Sequence, residues 1–221
     1  MAITEFPETV VVLDLDDTLY KEADYHASGF AEVCRWIEQL YGKSLALDLL
    51  ALQKAGEPDL LAGLCRVAGL PISVKESLLW VYRLHEPAIR LTPFVQDFLE
   101  RLQTKCNLAI ITDGRSISQR QKIKALGLSR FPAYISEDYG ADKPSPLRFE
   151  LIMRHMPASR HVYVGDNPKK DFLAPNCLGW TTLGLRDDGR NIHSQNLTGL
   201  RSEQLPQVWI DSLDEILNYL C

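Results

Sequence analysis

The chain has 221 residues, 46% of them hydrophobic and 24% charged, with a formal net charge of −5. This balance is typical of a globular protein with a buried core and excludes disordered and fibrous classes. The sequence contains no run of basic residues of the kind that binds along a phosphodiester backbone, so a nucleic-acid polymer is not an expected partner. No segment is apolar for long enough to cross a bilayer, and the opening MAITEFPETV has neither a basic start nor a long apolar run. We therefore expect a cytoplasmic protein with no membrane partner.

The cysteines and histidines show no spacing that indicates a disulfide framework or a zinc site. No two of the five histidines have metal-ligand spacing. The five cysteines are scattered and never form a C-x-x-C pair, so reduced and mostly buried thiols are expected. They are Cys34, Cys65, Cys106, Cys177 and Cys221.

Five short apolar runs predict the strands of a parallel sheet. The first covers residues 10–13, is β-branched and is followed at once by acidic residues, as in a strand buried in a parallel sheet. Helical patterns lie between most of the runs, and this alternation predicts an α/β fold. The other runs are 108–111, 133–135, 161–164 and 181–183; near the end of the chain, 208–210 predicts a further strand and Ser212 the start of a helix.

Three helices are predicted between the later strands. Thr92 can cap the first, which has Pro93 at its first position. The second covers residues 116–126 and ends at Gly127, and the third covers residues 147–156. The first helix is expected to turn four apolar side chains inward: Phe94, Phe98, Leu99 and Leu102.

The alternation is interrupted between residues 22 and 90, where no strand is predicted and apolar residues recur at helical spacing. Glycine residues separate the helical segments. The sequence therefore predicts a small all-helical domain, residues 22–90, inserted into an α/β core of residues 1–21 and 91–221. Its apolar stripes are Phe30, Val33, Cys34, Ile37, Leu40 and Tyr41; Leu60, Leu61, Leu64, Cys65 and Ala68; and Val74, Leu78, Val81, Tyr82 and His85.

Two acidic motifs follow predicted strands. DLDDT contains Asp14 and Asp16 and follows the first strand, whereas GDNPKKD contains Asp166 and Asp171 and follows the strand at 161–164. Open α/β sheets place their active sites at the carboxyl ends of strands, so the motifs are expected at one edge. Either motif alone could be a solvated turn that begins a helix. Crowded carboxylates repel one another, however, and a hard divalent cation such as Mg²⁺ relieves that repulsion.

Two further segments between these motifs are suited to phosphate. Thr112, Asp113 and Gly114 end the strand at 108–111, and Lys143 lies in a loop before a helix. A hydroxyl, backbone N–H groups and a lysine form a phosphate cradle. Taken singly, the threonine could be an ordinary strand end and the lysine a surface residue. Their order along the chain, between the two acidic motifs, is what favours a functional role for both.

The motifs DLDDT, TDG, DKPSP and GDNPKKD occur in the order and at the spacing of the haloacid dehalogenase-like (HAD) superfamily. The chain resembles this family from residue 10 to about residue 185. The resemblance implies a doubly wound, Rossmann-like parallel-sheet core. The helical insertion falls where some family members carry a mobile cap, so residues 22–90 resemble that cap.

The same resemblance implies a phosphatase that works through an aspartyl phosphate. Asp14 is implied as the nucleophile and Asp16 as the general acid and base. Two residues apart on a bent, extended chain, both carboxylates can face one phosphorus atom. The substrate oxygens would be held by three neighbouring residues, through the Thr112 hydroxyl and the backbone amides of Asp113 and Gly114.

Mg²⁺ is the cofactor that the resemblance implies. Its expected ligands are the Asp14 carboxylate, the Asp16 backbone carbonyl and the Asp166 carboxylate. Lys143 would neutralise charge on the nucleophile and on the phosphate. Asp171 would either support the metal or orient Lys143.

The first motif separates several alternatives. Family members that cleave carbon–halogen or carbon–phosphorus bonds lack an acid at the position of Asp16, so phosphate-ester chemistry is favoured. A sugar phosphomutase stays open, although such enzymes commonly have glycine and then valine or isoleucine where this chain has Asp17 and Thr18. A receiver-like signalling module shares the residue types but has another motif order. An inactive scaffold is disfavoured because every chemical position holds a competent residue.

The expected substrate is a small phosphorylated metabolite, such as a nucleotide or a sugar phosphate; its identity and the oligomeric state stay open. Tyr20, Tyr25 and His26 follow the first motif closely and are candidates for substrate selectivity. Alternatively, Tyr20 packs at the junction with the insertion and the other two are solvated. Further candidates, after the fifth predicted strand, are Arg186, Arg190 and His193.

Overall fold

A computed structural model of the protein describes residues 8–220, and the chain divides into two compact units. One unit consists of the segment that ends at Ala23 and the segment that begins at Arg90; the other is Asp24–Ile89. This division falls close to the predicted boundaries at residues 22 and 90. The role of the second unit as a cap stays a prediction. Within the described part of the chain, no helix combines the length and apolarity needed to cross a membrane.

The core unit is built on a six-stranded sheet in which every neighbouring pair of strands is parallel. The strand order is β3-β2-β1-β4-β5-β6, so the chain order reverses on either side of the central strand β1. This arrangement confirms the predicted doubly wound α/β sheet. The strands are β1 (Thr9–Leu13), β2 (Asn107–Thr112), β3 (Ala133–Ile135), β4 (Arg160–Gly165), β5 (Thr181–Leu185) and β6 (Val208–Ile210).

The second unit is helical. Its four helices are α1 (Glu22–Tyr41, which begins just before the unit), α2 (Ala46–Lys54), α3 (Leu60–Val67) and α4 (Val74–Leu84). They bury a core of their own because each turns an apolar side towards the others. This core consists of Val33, Cys34, Ile37, Leu45, Leu49, Leu61, Leu64, Cys65, Ala68 and Leu78.

Two details of the helical prediction are wrong. Leu40 and Tyr41, expected in the first apolar stripe, are exposed because they lie in the last turn of α1, at the margin of the core. Helix α2 was not predicted at all. Its leucines point to several sides, with Leu49 buried and both Leu47 and Leu50 exposed, so no one-sided stripe marks this helix in the sequence.

Three helices of the core unit match the predicted segments, and two short helices, Ser136–Tyr139 and Leu173–Cys177, were not predicted. Val95 donates its backbone N–H to the Thr92 hydroxyl at 3.3 Å, which confirms the predicted cap of α5. Gly127, with φ of 71°, ends the next helix as expected. The helices are α5 (Pro93–Leu102), α6 (Ser116–Ala125), α7 (Ser136–Tyr139), α8 (Leu147–His155) and α9 (Leu173–Cys177).

Phe94 and the end of the chain differ from expectation. The buried face of α5 is formed by Val95 with the predicted residues 98, 99 and 102, and it leaves Phe94 at its edge, 46% exposed. After Ser212 the chain forms a 3₁₀ helix, Leu213–Tyr219, rather than an α-helix.

The described cysteines carry free thiols, as expected. Three of them are buried and Cys177 is exposed. Cys221 lies outside the described residues.

Phe98→Ala should lower the free energy of unfolding of the core unit by about 3–5 kcal/mol, because its fully buried ring would leave a cavity. Phe94→Ala on the same helix is the matched control and should lower it by less than about 1 kcal/mol. Urea denaturation followed by circular dichroism measures both. Equal losses would contradict the orientation of α5.

Candidate active site

The carboxyl ends of three neighbouring strands bring the predicted motifs together. Asp14 follows β1, Thr112 ends β2, and Asp166 follows β4, and all three side chains line one cleft. This is the edge, beside the switch in strand order, where open α/β sheets bind ligands. Lys143 and Asp171 line the same cleft.

Asp14 is held in the cleft by its backbone and its side chain. Its backbone N–H donates to the Val164 carbonyl at 2.8 Å, which ties the end of β1 to β4. Its side chain is buried, and Oδ1 accepts a hydrogen bond from Lys143 Nζ at 2.8 Å. Burial raises the pKa of Asp14 to about 7; Lys143 opposes this rise and the charge of Asp171 adds to it.

Lys143 is a buried cation held between two carboxylates. Nζ lies 2.8 Å from Asp14 Oδ1 and 2.7 Å from Asp171 Oδ1. Burial works against the charged amine, but Asp14 and Asp171 outweigh it and raise the pKa of Lys143 well above its ordinary value. The lysine is therefore an ammonium group held against the carboxylate of Asp14.

Asp171 has both carboxylate oxygens engaged. Besides Lys143, Oδ1 accepts the Tyr163 hydroxyl at 3.1 Å, and Oδ2 accepts the backbone N–H of Asn167 at 2.8 Å. A Cβ at Gly165 would lie 2.5 Å from Asp171 Oδ2, so glycine is required for this approach. Of the two roles expected for Asp171, these contacts favour the orientation of Lys143.

Tyr163 extends this network, and sequence reasoning missed it. Its hydroxyl accepts from Lys143 Nζ at 3.1 Å and donates to Asp171. Burial and the charge of Asp171 raise the pKa of Tyr163 well above its ordinary value, so it stays a neutral donor. A tyrosine between the two buried valines of β4 was the available signal.

A cation site is indicated by three buried carboxylates. Asp14, Asp166 and Asp171 offer oxygen atoms that all lie within 4.8 Å of one another. Burial, followed by the charges of Asp171 and Asp14, raises the pKa of Asp166 to about 9. An all-oxygen donor set under such repulsion fits Mg²⁺, which would favour the ionised carboxylates.

Asp166 is oriented from the loop that follows β5. Asn191 Nδ2 donates to Asp166 Oδ2 at 2.9 Å, and Gln195 Nε2 donates to its backbone carbonyl at 2.8 Å. The same loop reaches the first motif, because the Ile192 N–H donates to Asp17 Oδ2 at 2.8 Å. This hydrogen bond ties the loop to the first motif. The backbone of Asp17 is in the left-handed region, with φ of 56°.

Asp16 is held by three donors from two segments. Its Oδ1 accepts from the Tyr20 hydroxyl at 2.5 Å and from Lys122 Nζ at 2.8 Å, and its Oδ2 accepts from Gln119 Nε2 at 3.1 Å. Lys122 and Gln119 on α6 were not predicted as site residues. Their burial, which sets them apart from ordinary surface residues, is visible only in the structure.

Only some of the predicted phosphate-binding groups after β2 are free to bind a phosphate. Thr112 is buried at the end of β2, but the Gly114 N–H donates to Ser136 Oγ at 2.9 Å and is already engaged. The Asp113 side chain accepts the Lys143 N–H at 3.1 Å and pairs with Arg148. The expectation of two free backbone amides therefore needs correction for Gly114.

Arg148 is a further residue that sequence reasoning missed. It is fully buried on α8 and donates to the Thr112 carbonyl at 2.8 Å and to the Tyr134 carbonyl at 3.2 Å. These bonds tie α8 to the ends of β2 and β3. Its position next to apolar residues on α8 gave no sequence signal.

The selectivity candidates are divided between the two units. Tyr20, in the core unit, is buried against Asp16. Tyr25 and His26 belong to the helical unit, where the Tyr25 ring lies 5.6 Å from Tyr82 and 5.0 Å from His85. Among the later candidates, His193 lines the cleft, whereas Arg186 pairs with Asp211 at 3.3 Å.

Two curated relatives match short segments. A glyceraldehyde 3-phosphate phosphatase of Methanocaldococcus jannaschii is 32% identical over 95 residues, which cover 41% of this chain and 42% of that protein. The HAD-hydrolase YfnB of Bacillus subtilis is 28% identical over 97 residues, which cover 42% of this chain and 41% of YfnB. The matched segments thus span about two fifths of each relative.

Solved structures share the fold over nearly the whole chain. The magnesium-bound YfnB structure has a TM-score of 0.64 at 19% identity and covers 96% of this chain and 98% of its own. A 2-haloacid dehalogenase of Pseudomonas syringae has a TM-score of 0.64 at 22% identity, with the same coverage. The sequence model of the haloacid dehalogenase-like hydrolases matches residues 9–179. Because this match extends over most of the chain, the protein belongs to the haloacid dehalogenase-like hydrolases.

Proposed function

We propose that this protein is an Mg²⁺-dependent phosphatase that hydrolyses a small phosphomonoester through a phosphorylated Asp14. The observation that carries the proposal is the buried contact, 2.8 Å long, between Asp14 Oδ1 and Lys143 Nζ. It aligns a carboxylate with a cation at the carboxyl edge of the sheet, and Asp16 lies in the same cleft. A nucleophile, a charge neutraliser and a proton carrier are the parts that covalent phosphoryl transfer requires.

In the first step, an oxygen of the Asp14 carboxylate attacks phosphorus and the bond from phosphorus to the substrate oxygen breaks. The electron pair leaves with that oxygen, which takes a proton from Asp16. In the second step, the Asp16 carboxylate takes a proton from water as the water attacks phosphorus. The bond from Asp14 to phosphorus then breaks, which releases phosphate and restores the carboxylate.

The substrate phosphate would contact three groups at the end of β2 and in the following loops. The Thr112 hydroxyl and the Asp113 backbone amide would donate to its oxygens, and Lys143 would balance its charge. Gly114 would act through its conformation, since its φ is 137° and a Cβ there would meet Gln119 Nε2 at 2.7 Å.

The residues that would hold Mg²⁺ are Asp14 and Asp166, through their carboxylates, and Asp16, through its backbone carbonyl. Bound there, Mg²⁺ would offset the repulsion between these carboxylates and the incoming phosphate. Asp171 would stay with Lys143, since both of its oxygens have protein partners. The magnesium-bound YfnB structure, which has the same fold, supports this choice of metal.

The side chain of Asp16 favours ester hydrolysis over dehalogenation. The fold does not separate the two, because it is shared with a 2-haloacid dehalogenase. The M. jannaschii relative, named for a small phosphorylated metabolite, supports a substrate of that class. We infer that the helical unit, Asp24–Ile89, acts as a cap that selects the substrate, and that the protein works in the cytoplasm.

Asp14→Asn should reduce phosphate release by about 10³-fold or more, because the amide is a poor nucleophile. Release is measured on a panel of nucleotides, sugar phosphates and an aryl phosphate, with Mg²⁺ or with EDTA. Asp97→Asn, an exposed change on α5, is the matched control and should leave release unchanged. Near wild-type release by Asp14→Asn would contradict the mechanism. If the wild type is inactive on all esters, the phosphomutase alternative would be tested next.

Asp166→Asn should raise the Mg²⁺ concentration for half-maximal activity by about tenfold or more, because a carboxylate ligand becomes a neutral amide. A titration of activity against Mg²⁺ measures the change, again with Asp97→Asn as the control. An unchanged midpoint would show that Asp166 is not a ligand.

His26→Ala should change the ratio of kcat/KM between two substrates of the panel, if the helical unit selects the substrate. Tyr41→Ala, at the exposed end of the same helix, is the control and should leave the ratio unchanged. A uniform loss on every substrate would count against a selectivity role for His26.

A further inference from the structure

Helix α6 turns two buried polar side chains towards Asp16. Gln119 and Lys122 lie three residues apart and therefore on one side of the helix, and they are only 4% and 3% exposed. This side of a core helix is ordinarily apolar. The buried lysine and glutamine therefore need an explanation.

The two side chains hold different oxygens of the same carboxylate. Lys122 Nζ donates to Asp16 Oδ1 at 2.8 Å, and Gln119 Nε2 donates to Asp16 Oδ2 at 3.1 Å. Gln119 Nε2 also donates to the Asp113 carbonyl at 2.8 Å, which anchors the amide to the loop after β2. A carboxylate held at both oxygens has its rotation about the Cβ–Cγ bond fixed.

Packing alone does not account for this arrangement. Removing a lysine ammonium from water is strongly unfavourable, and buried ion pairs, here with Asp16 at 2.8 Å and with Glu22 at 3.9 Å, rarely do more than offset that loss. An apolar side chain at position 122 would fill the same space without it. The lysine is placed where it contacts the one carboxylate of the first motif that must receive and deliver protons.

We propose that Lys122, assisted by Gln119, is a positioning residue that holds the Asp16 carboxylate in line with the leaving oxygen of the substrate. The proposal rests on the proposed function, since it assigns Lys122 a role through Asp16 and no contact with the phosphate. A displacement of about 1 Å at a proton-transferring group can reduce a rate by about 10²-fold. The loss of Lys122 should therefore act on the step in which Asp16 protonates the leaving oxygen.

This role has a signature in the leaving group. When the ester bond breaks, an alkyl alkoxide needs the proton of Asp16, whereas para-nitrophenolate is stable enough to leave without it. kcat/KM reports on the steps up to the first bond cleavage. Lys122→Met should therefore lower kcat/KM by about 10²-fold for an alkyl phosphate and change it little for para-nitrophenyl phosphate.

The test compares these two esters in wild type, Lys122→Met, Gln119→Met and Asp16→Asn. The alkyl phosphate used in the test is chosen from the panel as the alkyl ester that the wild type hydrolyses fastest. Both α6 variants should show the same selective loss that is expected of Asp16→Asn, with the smaller loss for Gln119→Met. Lys124→Met, an exposed lysine of the same helix, is the matched control and should match the wild type.

Equal losses on both esters, in variants whose circular dichroism is native, would overturn the positioning role and leave the proposed function intact. If Lys122→Met does not fold, Gln119→Met decides by the same comparison, and its failure to discriminate the esters would also overturn the role. A wild type inactive on both esters would overturn this inference together with the proposed function.

Discussion

The site depends on one buried ammonium group placed between two buried carboxylates. Lys143 lies 2.8 Å from Asp14 and 2.7 Å from Asp171, and burial prevents water from screening these charges. Three carboxylates share this region, and burial, together with the repulsion between them, raises the pKa of Asp14 to about 7 and that of Asp166 to about 9. A cation bound there would stabilise this arrangement and, under the proposed function, would offset the charge of an incoming phosphate.

The sheet explains how these groups meet. β1 lies between β2 and β4, so the carboxyl ends of three adjacent strands bring Asp14, Thr112 and the loop that contains Asp166 to one edge. Residues around this edge then fix each group in turn: Tyr163 and Asp171 hold Lys143, and α6 holds Asp16. These supporting residues orient Lys143 and Asp16 before a substrate binds. Catalysis of phosphoryl transfer relies on such preorganisation.

The sequence predicted the parts of the molecule that local pattern controls. Buried parallel strands are β-branched runs, so all six strands were found, and the motifs at their ends fell on one edge of the sheet. Phe94, Leu40 and Tyr41 were misplaced because periodicity marks a helix face but not how far the core extends along it. Lys122, Gln119, Tyr163 and Arg148 were missed because their partners lie far away in sequence, and only the tertiary fold shows that these buried polar groups are satisfied.

The central claim is that Asp14 carries the phosphoryl group during turnover. It is tested most directly by quenching the enzyme in acid during hydrolysis of a good substrate and mapping phosphate on its peptides by mass spectrometry. The account predicts an acid-stable, alkali-labile acyl phosphate on the peptide that contains Asp14, and none in the Asp14→Asn variant. Turnover with phosphate on another residue, or with no phosphorylated peptide under conditions where its formation outpaces its hydrolysis, would contradict it.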